Sequence, residues 1–304
     1  KEKGKMKTIN KKLLLSFIAM LLIAVFVIPM AACGKKNKAS KFLFGGEVIR
    51  LDSQATAISK LGDAIDMAIV DSIMAKYYEK QSKGDLKALD NLTLGTETFA
   101  VGAKKGSKAL IEKINEGLIN VAQDDNKIKE VYEEYGVEQS YRKADLAKKE
   151  VTNNATDSSW DKIVKTKKLV IGVTLLEPAS YGDVKDFKGY ETNLAKAVVK
   201  YLNEKYKTNI EIEFKVIKWS NKENEIATGS IDLIWNNFTV DEERKKAFEL
   251  SYEYMENKQM PIVKAKDAAK YKNMTVEELK QNKDLKIGVE SGSSAEDLMI
   301  PKKG

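Results

Sequence analysis

The sequence predicts an α/β fold with mainly parallel sheets, and three observations support that prediction. Short apolar runs that suit buried strands alternate along the chain with segments whose apolar residues recur at helical spacing. Helix start and stop signals stand between them, such as the capping box of Thr275 with Glu278 and the helix-ending Gly136. The chain has 304 residues, 43% of them hydrophobic and 32% charged, which is enough to bury the core of two ordinary domains or of one bilobal unit.

The first residues of the chain, 1–33, have a basic flank, an apolar stretch and a small-residue end at Ala31, Ala32 and Cys33. This layout predicts a secretory signal. It resembles a bacterial lipoprotein signal, which implies that Cys33 receives lipid and becomes the mature N-terminus, with residues 34–41 as a tether. An uncleaved membrane anchor is the alternative, because the apolar stretch is almost long enough to span a bilayer. Both interpretations export the rest of the chain.

The composition excludes several classes of function. In residues 1–33, six Lys against one Glu account for +5 of the net charge of +7, so the remainder holds only +2, with Lys and Glu interspersed. A nucleic-acid partner is therefore not expected. The chain has no His and a single Cys, which excludes His-dependent hydrolase triads, disulfides and Cys-based metal sites. No cofactor is expected.

The part of the chain before residue 159 predicts alternating strands and helices followed by a linker. Asp71 ends a buried strand, and Ser107 opens a long amphipathic helix. Residues 138–158 are rich in Lys, Asn, Ser, Thr and Asp and predict the linker. The predicted elements are a helix over 54–61, a strand over 64–70, a helix from 72 to about 79, a strand over 98–101, a helix from 107 and a helix over 126–135.

The alternation starts again at residue 168. Ile210, Ile212 and Phe214 alternate with charged residues and predict a half-exposed strand. Ser293 and Glu296 have the spacing of a second capping box. The predicted elements are a strand over 169–173, a helix through 194–202, a strand over 210–216, a helix over 222–227, a buried strand over 231–235, a short helix after Thr275 and a strand over 285–289.

The segment 231–244 resembles the most characteristic stretch of the polar amino-acid solute-binding proteins of ABC importers, extracellular solute-binding protein family 3. In that family a strand delivers a Thr, here Thr239, and an Arg follows it five residues later, here Arg244. A guanidinium grips a carboxylate through two parallel hydrogen bonds. The resemblance therefore implies that Arg244 binds a ligand carboxylate, with Asn237 and Thr239 in support. The alternative is that Arg244 is one more cation in the charged run 241–246.

Two further segments resemble the same family. Glu177 and Tyr181 stand in a segment that resembles its ligand-facing loop, where the family often has an aromatic residue at the position of Glu177. With Trp235, they are the candidates for selecting the ligand side chain, although Trp235 also suits plain strand core. The turn around Ser293 and Ser294 resembles the strand-to-helix turn of the second lobe, which implies that its hydroxyls and N–H groups bind the ligand carboxylate.

Residues 52–72 resemble the segment that, in this family, follows the turn corresponding to Ser293 and Ser294. Here that segment precedes the turn, so the two halves of the family's sequence stand in reversed order. The resemblance implies that Asp71 lies across the cleft from Arg244 and binds the ammonium group of an amino acid; Asp71 also suits a helix cap after a strand.

The reversed order implies a circularly permuted, two-lobed periplasmic-binding-protein-like fold of type II. Crossings between the lobes are expected near 94–99 and 261–264. The alternative is a partial or rearranged tandem gene product, in which residues 42–136 end one receptor and 159–304 begin another. The expected parts are 42–95 as the second half of lobe 2, 96–137 as the C-terminal-type strand and helices packing on lobe 1, 138–158 as the linker, 159–262 as lobe 1 and 263–304 as the first half of lobe 2.

The function that this resemblance implies is capture of a free amino acid for an ABC importer. The partners would be the permease subunits and, through the lipid on Cys33, the outer face of the cytoplasmic membrane. An enzyme on the same scaffold is one alternative, acting as a dehydratase or cleaving cell-wall glycans, with Glu177 as general acid. A ligand-sensing domain is another alternative. Turnover of a bound ligand separates the enzyme from the binding protein.

Overall fold

The computed structural model describes residues 44–183 and 186–300. The predicted signal sequence, Cys33 and the tether lie outside the described residues. Within the described ranges, no helix is long and apolar enough to cross a membrane. The predicted α/β class is confirmed, because two large sheets are flanked by helices.

The strands and helices of the described residues are numbered in chain order. The strands are β1 (Glu47–Leu51), β2 (Met67–Asp71), β3 (Leu86–Ala88), β4 (Gly95–Phe99), β5 (Gly102–Lys104), β6 (Lys168–Val173), β7 (Tyr181–Asp183), β8 (Asp186–Lys188), β9 (Glu211–Val216), β10 (Leu233–Ile234), β11 (Phe248–Leu250), β12 (Met255–Lys264) and β13 (Lys286–Glu290). The α-helices are α1 (Gln54–Ser59), α2 (Ser72–Gln81), α3 (Lys108–Ala122), α4 (Asp125–Tyr132), α5 (Lys143–Leu146), α6 (Ser159–Thr166), α7 (Tyr190–Tyr206), α8 (Lys222–Ala227), α9 (Glu242–Ala247), α10 (Val276–Gln281) and α11 (Ser294–Met299). Short 3-10 segments cover Glu133–Tyr135, Glu138–Ser140, Trp219–Asn221 and Ala265–Tyr271.

The first sheet combines strands from both ends of the described chain, in the order β1-β13-β2-β12-β3, with β4 also paired to β12. β13 runs parallel to β1 and to β2, whereas β12 is antiparallel to β2, β3 and β4. All five residues of β2 are buried, as expected for a strand covered on both faces. Because β1, β13 and β2 are parallel, their carboxyl ends lie at one edge of the sheet.

The second sheet has the order β11-β5-β10-β6-β9. β6 is parallel to both β9 and β10, whereas β5 is antiparallel to β10 and β11. The predicted alternation along β9 is confirmed in its first part, since Ile210 and Phe214 are buried and Glu211 and Glu213 are exposed, but Val216 at its end is exposed. The carboxyl ends of β6, β9 and β10 share one edge of this sheet.

Two strands connect the sheets. β4 pairs antiparallel with Met255–Gln259 of β12, and Phe99 is followed closely by β5 of the second sheet. The crossing predicted near 94–99 thus coincides with β4. The crossing predicted near 261–264 is wrong, because Pro261 and Val263 pair with β2 inside the first sheet. β12 is one continuous strand of ten residues. Its first half connects the two sheets and its second half belongs to the first sheet, so no break in the sequence marks where the crossing ends.

Residues 138–158 are not the loose linker that their polar composition predicts. Tyr141 and Leu146 are buried, and the backbone N–H of Arg142 donates to the carbonyl oxygen of Tyr254 at 2.9 Å. Two apolar side chains in a polar stretch are enough to pack it onto the core, which composition averaged over the segment does not reveal.

Candidate functional site

The carboxyl edges of the two sheets enclose a small cavity of about 10 Å³, roughly the room for one water molecule. Ligands of α/β proteins bind at such edges, where several chain segments end together. An amino acid is too large for this space and would enter only if the edges moved apart. The lining residues are Gln54, Asp71, Glu290, Ser293 and Ser294, which end or follow strands of the first sheet, and Leu176, Trp219, Asn236, Asn237 and Thr239, which follow strands of the second.

Asp71, the last residue of β2, is buried and held by four side-chain amides. Its Oδ1 accepts from Asn257 at 2.8 Å and from Gln259 at 2.6 Å. Its Oδ2 accepts from Gln54 at 3.0 Å and from Asn237 at 3.1 Å. Burial raises the pKa of Asp71 to about 6, with a further increase from the charge of Glu97 and a partial decrease from the hydrogen bonds of Gln54, Asn237 and Gln259. The carboxyl group is thus fixed in place before any ligand arrives.

Asn237 follows β10 and has a left-handed backbone with φ 52°. Its N–H donates to the buried Glu191 at 3.1 Å, and its Oδ1 accepts from the hydroxyl of Tyr190 at 2.9 Å. Glu191 also accepts from the hydroxyl of Tyr254 at 2.7 Å, while burial raises its pKa to about 7. These contacts from α7 hold an otherwise unfavourable conformation and aim the amide of Asn237 at Asp71.

Arg244, in α9, lies next to the cavity but not among its lining residues. Its Nη1 donates to the carbonyl oxygen of Thr239 at 2.8 Å, and its Nη2 lies 3.5 Å from the carbonyl oxygen of Gly292. The guanidinium stands 4.6 Å from the ring centroid of Phe238. Asp241 caps the helix by accepting from the Arg244 N–H at 2.7 Å. Arg244 is therefore buried and fixed beside the turn that carries Ser293.

The turn after β13 brings two predicted serines to the cavity. Ser293 donates to the carbonyl oxygen of Glu290 at 2.7 Å and accepts from the N–H of Glu296 at 3.3 Å, which makes it the cap of α11. Ser294 accepts from Gln259 at 3.1 Å. The predicted capping box is only half formed, because Glu296 accepts from the N–H of Gly292 at 2.6 Å instead of from that of Ser293. The left-handed backbone of Gly292, with φ 76°, places that N–H within reach.

Three predicted selectivity residues do not line the cavity. Glu177 accepts from the hydroxyl of Tyr77 at 2.6 Å, a contact between the loop after β6 and α2. Tyr181 begins the hairpin of β7 and β8 and is only partly buried. Trp235 is buried in the core, with its ring centroid 6.4 Å from that of Tyr254. The sequence allowed Trp235 either to select the ligand or to belong to the core, and the structure places it in the core.

Several lining residues were missed by the sequence reasoning. Gln54 follows β1, and Glu290 is the last residue of β13. These two strands are parallel neighbours, and Leu51 of β1 pairs directly with Glu290. Leu176, Trp219 and Asn236 likewise stand just after β6, β9 and β10, and one common signal could have found all five: a position immediately beyond a predicted parallel strand.

Comparison with known proteins confirms the predicted resemblance for part of the chain. Residues 169–295 match the family described as bacterial extracellular solute-binding proteins, family 3. This match includes Thr239, Arg244 and the Ser293 turn but not Asp71. It supports a binding protein, and the family's extracellular description supports export. None of the curated proteins matches the chain.

Three solved structures share similarity with about 30% of the chain each. A polar amino acid ABC uptake transporter substrate-binding protein from Streptococcus thermophilus is 35% identical over 30% of this chain and 33% of its own, with a TM-score of 0.26. An ABC uptake transporter substrate-binding protein from Streptococcus pneumoniae with bound histidine is 29% identical over 30% and 35%, with a TM-score of 0.26. An ancestral amino-acid-binding protein, described as a precursor of cyclohexadienyl dehydratase, is 30% identical over 29% and 37%, with a TM-score of 0.26. The chain spans about a third of the length of these proteins.

Proposed function

From the family match of residues 169–295, we propose that this protein is an extracytoplasmic solute-binding lipoprotein that captures a free amino acid for an ABC importer. The observation that carries the proposal is the cavity between the two sheets, where Asp71 from one sheet meets Asn237 and Thr239 from the other. Convergent polar groups at the edges of two sheets suit a small polar ligand.

The two charged ends of an amino acid have partners at this site. Asp71 binds the ammonium group, and Arg244 binds the carboxylate together with Ser293 and Ser294, whose hydroxyls stand at the start of α11. Asn237 supports the ligand by hydrogen bonding. For Arg244 to reach the carboxylate, its guanidinium must turn from its present bond with the carbonyl oxygen of Thr239.

Ligand entry and capture follow from the way the sheets are connected. β4 and β12 are the two connecting strands, so the edges open by bending there. Closure around the ligand is favoured because the ligand contacts both edges. Without ligand, the side-chain amide of Asn237 donates to Asp71. When the ligand binds, its ammonium group takes the place of this amide as the donor to Asp71.

Export and membrane anchoring complete the proposal. Residues 1–33 supply the signal and Cys33 the lipid, and the liganded form docks on the permease subunits. Strands from residues 47–71 and from 286–290 share one sheet. This pairing supports a single permuted chain with a complete site and not two incomplete receptors joined in one chain.

The proposal is tested by thermal unfolding of residues 34–304 with each common amino acid. One or a few amino acids are expected to raise the melting temperature, and Arg244→Ala to abolish that shift. Lys245→Ala is the matched control, because it removes the neighbouring exposed cation, whose partner is Glu242 at 2.9 Å. A folded sample that no amino acid stabilises would contradict the proposal. Chemical conversion of the stabilising compound would favour the enzyme instead.

A further inference from the structure

We infer that the site takes an amino acid with a positively charged side chain, and that Glu290 is the residue that selects it. This inference rests on the proposed function, because it assumes that Asp71 and Arg244 bind the two ends of the amino acid. It assigns the ligand side chain to the region beside Glu290 that becomes available when the two edges move apart.

Glu290 belongs to the cavity by its position in the first sheet. It is the last residue of β13, between β1 and β2, so its carboxyl group lies at the same edge as that of Asp71. It is only 3% exposed and lines the cavity. Among the described residues, no donor reaches its Oε1. A buried carboxyl oxygen without a donor is unfavourable, and a ligand that donates there removes the cost.

The charges around the cavity favour a cationic ligand group. Asp71 and Glu290 both line it, whereas no Lys or Arg of the described ranges does. Lys222, 4% exposed, donates to the carbonyl oxygens of Trp219 at 3.3 Å and of Gly292 at 3.0 Å, and Arg244 donates to that of Thr239 at 2.8 Å. Both nearby cations thus bind backbone oxygens, and Nε of Arg244 also lies 3.5 Å from Oδ2 of Asp241. If the ligand ammonium pairs with Asp71, Oε1 of Glu290 still has no hydrogen-bond donor among the described residues.

The electrostatic state of Glu290 agrees with this geometry. Burial and the charge of Asp71 raise its pKa to about 8, while the charge of Lys222 and a hydrogen bond from Gln54 lower it only in part. A cation placed at its Oε1 would stabilise the carboxylate form and offset the cost of burying it. An acidic ligand side chain would be repelled, and a neutral amide would donate a hydrogen bond without compensating the charge.

The apolar walls of the cavity suit the stem of such a side chain. Leu176 and Trp219 are its two hydrophobic lining residues, and both come from the second sheet, whereas Glu290 comes from the first. Methylene groups pack on such surfaces while the charged end reaches a polar partner. The Trp219 ring already accommodates a cation, since Nζ of Lys222 lies 5.0 Å from its centroid.

The test is isothermal titration of residues 34–304, which contain every described residue, with L-arginine, L-lysine, L-ornithine, L-glutamine, L-leucine and L-glutamate. At least one cationic amino acid is expected to bind at least tenfold more tightly than any of the last three. Glu290→Gln is expected to weaken that binding at least tenfold. Glu47→Gln is the matched control, because it removes the same charge from an exposed position of the same sheet and should leave the affinity unchanged.

The outcomes separate this inference from the proposed function. Tight binding of glutamine, leucine or glutamate with no preference for a cationic amino acid would overturn the inference and leave the proposed function intact. Unchanged binding of arginine or lysine by folded Glu290→Gln would overturn the role of Glu290. Binding of no amino acid at all would count against the proposed function as well. The selectivity of the unmodified protein decides the first question even if the variant does not fold.

Discussion

Nδ2 of Asn237 donates to Oδ2 of Asp71 at 3.1 Å, which joins residues 166 positions apart on two different sheets. The bond lies where the two carboxyl edges meet. A ligand cation that pairs with Asp71 must take the place of this amide. The contact therefore marks both the closed form of the site and the point at which a ligand would enter it.

Asp71→Asn is expected to abolish stabilisation by the ligand without unfolding the protein. The amide keeps the volume of the side chain but removes the charge that pairs with an ammonium group. The variant relieves the burial of a charge, which raises the pKa of Asp71 to about 6, but its new NH2 group faces two amide donors, so we expect the free energy of unfolding to fall by about 1–3 kcal/mol. Thermal unfolding with and without the stabilising amino acid checks this. Asp90→Asn, at an exposed ion pair with Lys76, is the control; an undiminished ligand shift in Asp71→Asn would rule out its role.

Glu191→Ala is expected to lower the free energy of unfolding by ~2–4 kcal/mol, because the N–H of Asn237 and the hydroxyl of Tyr254 lose their buried acceptor. Urea denaturation measures the change. Glu204→Ala, at an exposed position of the same helix α7, should change it by less than about 0.5 kcal/mol. Equal effects of the two variants would show that the Glu191 contacts contribute little.

The stability of the protein is expected to fall as pH rises from 5 to 8. The pKa values of Asp71, Glu191 and Glu290 are raised to about 6, 7 and 8, so the folded protein binds protons more tightly than the unfolded chain through this window. The depressed pKa of Lys222, about 8, acts only at higher pH. We expect a loss of more than about 1.4 kcal/mol, the equivalent of one pKa unit. Urea denaturation at each pH measures it, and Glu290→Gln should flatten the curve near pH 8. A constant or rising stability would contradict these pKa shifts.

Gly189→Ala is expected to destabilise the protein much more than Gly106→Ala. Both glycines have left-handed backbones, with φ of 116° and 90°. A Cβ at Gly189 would lie 2.1 Å from the carbonyl oxygen of Ala179, whereas a Cβ at Gly106 meets no atom within 4 Å. The second substitution therefore costs only backbone strain of about 1–2 kcal/mol, and the first more than about 3 kcal/mol. Thermal unfolding of the two variants compares them; similar melting temperatures would show that the turn before α7 shifts without cost.

Local patterns in the sequence predicted most of the helices but missed several strands, the long strand β12 among them. The bounds of α8 agree with the predicted helix over 222–227, and the capping box of Thr275 and Glu278 forms at the start of α10. These features depend on residues within one or two helical turns of one another. Their physical basis is local hydrogen bonding and apolar spacing, which the sequence displays directly.

The composition of the cavity could be predicted only in part. The resemblance to a known family led to Asp71, Asn237, Thr239 and the two serines after β13, all of which line the cavity. It also led to Glu177, Tyr181 and Trp235, which lie elsewhere. The difference arises because the resemblance identifies segments, whereas the direction of each side chain depends on how its segment packs.

By itself, the sequence determined the α/β class, most of the helices and the presence of a characteristic Thr239 and Arg244 pair. Only the tertiary structure decided that Glu290 and Asp71 share one cavity. Their proximity depends on the parallel pairing of β13 with β2, two strands more than two hundred positions apart. Such a register is set by the packing of the whole sheet, and no local pattern along the chain records it.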